Sequence, residues 1–159
     1  MATQTAVKSE YTIKGIKTFM GMEGRGFNAT LYRNGRKAAF FIDDASGGPL
    51  QIDWVNKKEE EIFKAFIEEE REKIPADQMY HGTPYRGLFN DEIWLGDKVN
   101  ELENKKRIRR LAKKNTVVQI GDEIGTDKMS YFKGTGPEIR AWIEKKYGDQ
   151  KLKFLNDEL

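Results

Sequence analysis

The dipeptide Asn34-Gly35 constrains this chain more than any other feature, because it joins two strand-like runs, Phe27 to Arg33 and Arg36 to Asp43. Both central positions of a type I′ turn need positive φ, which glycine adopts freely and asparagine tolerates. An antiparallel hairpin is therefore expected here. Upstream, Tyr11 to Met20 alternates apolar and polar residues except around Gly15, where a bulge would reset the phase. The glycine-rich Gly21-Met22-Glu23-Gly24-Arg25-Gly26 joins that strand to the hairpin. Downstream, Asp43-Asp44-Ala45-Ser46-Gly47-Gly48-Pro49 has a loop composition, and Leu50 to Trp54 returns as the fourth strand of a meander.

The pattern then changes period. Asn56 with Glu59 three residues on marks a helix start, and Ile62, Phe63, Phe66, Ile67 and Ile74 share one face at helical spacing. The opposite face is acidic, and helix 57–73 ends near Pro75. Residues 75–89 hold two prolines, two glycines and the sole histidine, and read as an irregular connection. A second helix is expected from Asn90, with Leu95, Val99 and Leu102 as its buried stripe. The apolar phase slips before Ile108 and Leu111, which predicts a bend or a new helix near Asn104. Thr116 to Ile120 and Lys128 to Lys133 form a second hairpin pattern. Pro137 opens a helix that Gly148 ends, and Lys151 to Leu155 is a last short strand. Strands, helices, strands and a helix in that order predict an α+β fold, as one domain over 10–159 after a disordered terminus, 1–9.

Eighteen aromatic residues argue for a folded core, although 34% of the 159 residues are charged. The chain has no cysteine, which excludes disulfides and thiolate metal sites. No stretch approaches the roughly 20 apolar residues of a membrane helix, and residues 1–10 lack a signal-peptide core, so a cytoplasmic protein without a membrane partner is expected. The formal charge is only +2, but the charges are segregated along the chain.

The clearest candidate for function is Lys105-Lys106-Arg107-Ile108-Arg109-Arg110-Leu111-Ala112-Lys113-Lys114, seven cations without an acid. Clustered lysine and arginine suit contact with phosphates or an acidic protein surface. A solvated helix end that complements the C-terminal dipole is the plainer reading, but one or two charges suffice for that. Glu68, Glu69 and Glu70 form a possible acidic contact face; such faces are commonly just solvated surface.

Asp43, Asp44 and Asp53 surround one loop and could converge on Mg²⁺, yet aspartates beside Ser-Gly-Gly-Pro are also ordinary turn residues. The glycines at 21–26 lie between strands and lack the Lys-Ser/Thr of a phosphate-binding loop, and Gly134-Thr135-Gly136 opens a helix whose Pro137 and Glu138 oppose an anion. His81 has no nucleophile in a suitable context. No cofactor is expected.

The segments Gly-Phe-Asn, Asn-Gly and Asp-Asp-Ala-Ser-Gly-Gly-Pro-Leu within 21–54, with the tail Tyr147-Gly148 to Leu159, resemble short proteins of unknown function carried by phages and mobile elements. That resemblance implies no mechanism, and implies an accessory or anti-defence factor acting by binding, in the host cytoplasm. The leading expectation is thus a non-enzymatic binding protein, an inhibitor of a host nucleic-acid-processing or defence complex, with a host protein or protein–nucleic-acid complex as partner. The alternatives are a small nucleic-acid-binding protein using 105–114, and a metal-dependent hydrolase at Asp43, Asp44 and Asp53.

Overall fold

The computed structural model describes residues 8–159, so the terminus expected to be disordered lies, up to residue 7, outside the described residues. Strands β1 (Tyr11–Gly21), β2 (Gly24–Arg33), β3 (Arg36–Asp43) and β4 (Gln51–Trp54) form an antiparallel sheet in the order of the chain. The β2–β3 turn has the geometry its sequence demands, with φ of 49° at Asn34 and 80° at Gly35. Asn34 is also held from the side: its N–H donates to the Glu10 carbonyl, and its Oδ1 accepts the Glu10 N–H, both at 2.8 Å. The register of β1 against β2 shifts between Lys14 and Lys17, and Gly15 sits at φ 67°, so the bulge falls where the alternation breaks.

Pleating and register sort the sheet into two faces. Ile13, Leu31, Ala39 and Trp54 stand opposite one another in one row, and Ala29, Phe41 and Ile52 in the next. These rows form the core with α1 (Lys57–Glu72), which contributes Phe63, Phe66 and Ile67. Between the helices lie β5 (Met79–Tyr80), β6 (Thr83–Pro84) and the single turn α2 (Tyr85–Leu88). The first half of α3 (Asp91–Ala112) adds Trp94, Leu95 and Val99 to the same core. Phe63, fully buried, is the hub of the aromatic packing, with ring centroids 5.0 Å from Tyr11, 5.3 Å from Trp54 and 5.6 Å from Trp94.

The start of α1 is fixed twice. Asn56 Oδ1 accepts the Glu59 N–H at 2.9 Å, which satisfies a free donor of the first turn. The Glu59 carboxylate does not return to the cap. It accepts from Arg33 Nε at 2.7 Å and Nη2 at 2.8 Å, tying the end of β2 to the helix. The irregular stretch 75–89 is pinned by backbone carbonyls: Arg71 Nη2 donates to Phe89 O at 2.7 Å, and Arg86 Nε to Ile74 O at 2.9 Å.

The contacts of the chain gather into two compact units, one running to Val99 and the other from Asn100 to Leu159, within the stretch read from sequence as one domain. The second unit holds β7 (Asn115–Ile120), β8 (Ser130–Lys133), α4 (Pro137–Tyr147) and β9 (Leu152–Phe154), with sheet order β8-β7-β9, all antiparallel. Lying between two strands, β7 buries Thr116, Val117, Val118 and Gln119. Its buried polar groups are satisfied: Thr116 Oγ1 donates to Gly134 O at 2.8 Å, and Gln119 Nε2 to the carbonyls of Thr126 and Lys128. Beyond β9, Asn156 continues the ladder with a side chain, its Oδ1 accepting the Val117 N–H at 2.7 Å and its Nδ2 donating to Asn115 O at 3.1 Å.

One expectation is corrected. Helix α3 runs unbroken for 22 residues, with no second helix beginning near Asn104. At about 100° per residue, Ile108 lies roughly 120° around the helix from Leu102. The apolar phase slips because Leu95 and Val99 serve the first unit, whereas Ile108 and Leu111 are half-buried residues of the second. A change of apolar face does not require a break in the backbone.

Candidate functional site

The last two turns of α3 and the residues after it carry the basic run. Lys105, Lys106, Arg107, Arg109, Arg110, Lys113 and Lys114 are all exposed, and Ile108, Leu111 and Ala112 are half-buried. On a helical projection the five cations within the helix spread over an arc of about 200°, and the three apolar residues fill the remaining sector. Two of the cations are paired within the helix: Lys105 with Glu101 at 3.1 Å and Lys106 with Glu103 at 3.2 Å. Among the described residues, no carboxylate is in ion-pairing reach of Arg107, Arg109, Arg110, Lys113 or Lys114.

These cations are not needed as caps. The Leu111 carbonyl accepts from Asn115 Nδ2 at 2.8 Å and from the Lys114 N–H at 3.3 Å, so an asparagine and the backbone close the helix. The β7–β8 pairing sets exposed Lys133 opposite Asn115, and the Gly134 N–H donates to the Lys114 carbonyl at 2.9 Å. Lys133 therefore joins the basic surface from a sequence position with no obvious link to the run. Residues 100–159 carry fourteen lysines and arginines against ten acids, whereas residues 1–99 carry fourteen against sixteen. Positive charge is concentrated in the second unit.

The acidic face of α1 is organised differently. Glu68 pairs with Arg71, Glu70 with Lys73 at 2.7 Å and Glu60 with Lys64 at 3.0 Å, while Glu59 is held by Arg33. Of the expected contact residues Glu68, Glu69 and Glu70, only Glu69 forms no ion pair. Pairs at i,i+3 and i,i+4 stabilise a helix by a few tenths of a kcal/mol and neutralise much of its outward field. Local geometry thus accounts for most of these acids.

The three aspartates are not brought together. Asp43 Oδ1 accepts the Ala45 N–H at 2.9 Å, and Asp44 accepts both the N–H and the hydroxyl of Ser46, which holds its carboxyl below the usual carboxylate range. Asp44 Oδ2 also accepts from Gln51 Nε2 at 3.3 Å. Asp43 pairs with Phe27 and Asp53 with Phe40, positions on opposite faces of the sheet. Among the described residues, no group of three or more His, Cys, Asp and Glu side chains could hold a metal ion.

His81 lies at the tip of the β5–β6 hairpin at φ 47°, exposed, with its ring 4.4 Å from that of Tyr80. A depression of about 300 Å³ lies beside α1, lined by Lys64, Glu68, Arg71, Asn90 and Asp91. Arg71 there is already committed to Glu68 and to the Phe89 carbonyl. None of these places combines a nucleophile, a base and an orienting group.

Sequence reasoning did not find Lys133, because its place depends on strand register. It also missed exposed Phe40 and half-buried Tyr32 on the uncovered face of the first sheet, whose alternation shows two faces without showing which one the helices cover. No helix among the described residues is long and apolar enough to cross a membrane. Comparison with protein-family models, with curated proteins and with solved structures found no match to this chain.

Proposed function

We propose that this chain is a non-enzymatic binding protein whose contact surface is the basic end of α3, and that its ligand is the phosphate backbone of nucleic acid. The observation that carries this reading is the contrast between the two charged helices. The acids of α1 are mostly neutralised by neighbours, whereas five cations at the end of α3 and in the turn after it, 107, 109, 110, 113 and 114, are exposed and without carboxylate partners. Uncompensated cations over a wide helical arc suit a polyanion, since each phosphate contact releases condensed counterions. Nothing on this surface selects a base sequence, so recognition is of backbone and charge. In keeping with the resemblance to phage and mobile-element proteins, the proposed setting is a host complex that processes nucleic acid.

The test is an electrophoretic shift and anisotropy titration of the full chain against duplex and single-stranded oligonucleotides at low salt. Reversing Arg107, Arg109 and Arg110 to Glu should abolish duplex binding with little change in melting temperature. Full affinity in that variant would remove the proposal. Retention of a host protein from lysate after nuclease treatment, lost in the same variant, would give the surface to an acidic protein instead.

A further inference from the structure

The helices of the first unit cover only one face of its sheet. The core they build takes in Tyr11, Ile13, Ala29, Leu31, Phe41 and Trp54, and includes none of Phe19, Tyr32, Phe40 and Ile42. Those four belong to the other face, which register assembles row by row. Thr12 stands opposite Tyr32, and Lys14 opposite Thr30, which in turn faces Phe40 and then Asp53. Lys17 stands opposite Asn28, which faces Ile42 and then Gln51. Thr12, Lys14, Lys17, Lys37, Gln51 and Asp53 are exposed, and Phe40 retains 37% of its accessible surface.

An aromatic ring left on an open sheet face is a cost unless something covers it. Among the described residues neither Tyr32 nor Phe40 pairs with another ring; Tyr32 has only Lys14 Nζ, 5.3 Å from its centroid. The two rings sit on neighbouring strands as diagonal neighbours, about 7–8 Å apart at the backbone. Three lysines, 14, 17 and 37, share this face with Asp53 and with Asp44, whose carboxylate is bonded to Gln51 at 3.3 Å. Asn28, Thr30 and Gln51 add hydrogen-bonding groups between the rings and the edge. The excess of lysine suits a polyanion, and exposed Phe40 with half-buried Tyr32 beside it suits one whose π faces are free. A duplex buries those faces in its own stack; a single strand does not.

We propose that this open face binds single-stranded nucleic acid, with Tyr32 and Phe40 stacking on two bases and Lys14, Lys17 and Lys37 meeting the phosphates. This goes beyond the basic helix end, which contacts the backbone of any nucleic acid, and it rests on residues of the first unit, whereas the basic run belongs to the second.

The experiment is an anisotropy titration of the full chain with a labelled oligothymidylate of about fifteen nucleotides, a length within the span of a strand-binding surface, and with a duplex of equal length. Phe40→Ala should weaken single-strand binding about fivefold or more and leave duplex binding unchanged. Phe40→Leu and Tyr32→Leu, which keep apolar bulk and remove the ring, should do the same, and an unchanged melting temperature shows that the fold is kept. Photocrosslinking of an iodouracil-substituted strand should fall on peptides containing Tyr32 or Phe40.

Unchanged single-strand affinity in these ring variants, with binding lost on charge reversal in α3, would overturn the platform and leave the basic helix standing. The opposite pattern would remove the basic helix and keep the platform. Crosslinks confined to residues 105–114 would also overturn the platform. So would a dimer, seen by light scattering, that Phe40→Ala dissociates without changing oligonucleotide affinity, because the face would then belong to a second copy.

Discussion

The steepness of salt dependence is the most demanding consequence of a basic surface on α3, because it counts contacts. At about 100° per residue, Lys106, Arg109 and Arg110 fall within an arc of roughly 100°, which one face of a duplex can meet at once, and Lys113 follows in the turn that closes the helix. Lys105 and Arg107 flank that arc on either side. Four phosphate contacts give a slope of log K against log salt of about −3.6 for duplex DNA. Raising salt from 50 to 200 mM should then weaken binding about 150-fold.

Substituting Arg109 and Arg110 with Ala removes two contacts. The slope should fall to about −1.8, and the same change in salt should cost only about 12-fold. Both side chains are exposed and have no ion-pair partner among the described residues, so stability should move by no more than about 0.5 kcal/mol for each. The assay is a set of anisotropy titrations at four or more salt concentrations, with melting curves as controls. A slope that stays the same in the double variant would refute the assignment of these arginines to phosphates. A wild-type slope near zero would refute the whole electrostatic reading.

Three further outcomes test the fold. Gly35→Val forces a β-branched residue to φ near 80°, and should lower stability by about 1–2 kcal/mol in chemical denaturation. Phe63→Ala empties the centre of the aromatic cluster and should cost about 3–5 kcal/mol, enough to threaten folding of the first unit. Arg33 holds the Glu59 carboxyl below its ordinary value near 4.5 by hydrogen bonding. Its contribution is therefore present above that pH and is lost as pH falls below it. Glu59→Gln should cost about 1–2 kcal/mol at neutral pH, and the gap to the wild type should close on acidification.

The parts of this protein legible in its sequence are those governed by local rules. Asn34-Gly35 can close only a tight turn of one kind, Gly15 marks the break in alternation, Asn56 caps a helix, and Pro137 with Gly148 bounds another. Each depends on the φ/ψ range or the hydrogen-bonding reach of one or two residues. The α+β class follows from the order of such segments, and the exposure of the basic run follows from the cost of burying unpaired charge. Partnership across the fold was another matter. Glu59 reads as half of a capping box, but its carboxylate belongs to Arg33, 26 residues away. Asp43, Asp44 and Asp53 look convergent on paper, and the pleat of the sheet sends Asp43 and Asp53 to opposite faces. The phase slip in α3 looked like the start of a new helix because periodicity records which side of a helix is buried and not what buries it. Alternation in β1, β2 and β3 likewise defines two faces equally well. Only the packing of α1 and α3 decided that Leu31 and Phe41 form the core while Tyr32 and Phe40 remain on the open side.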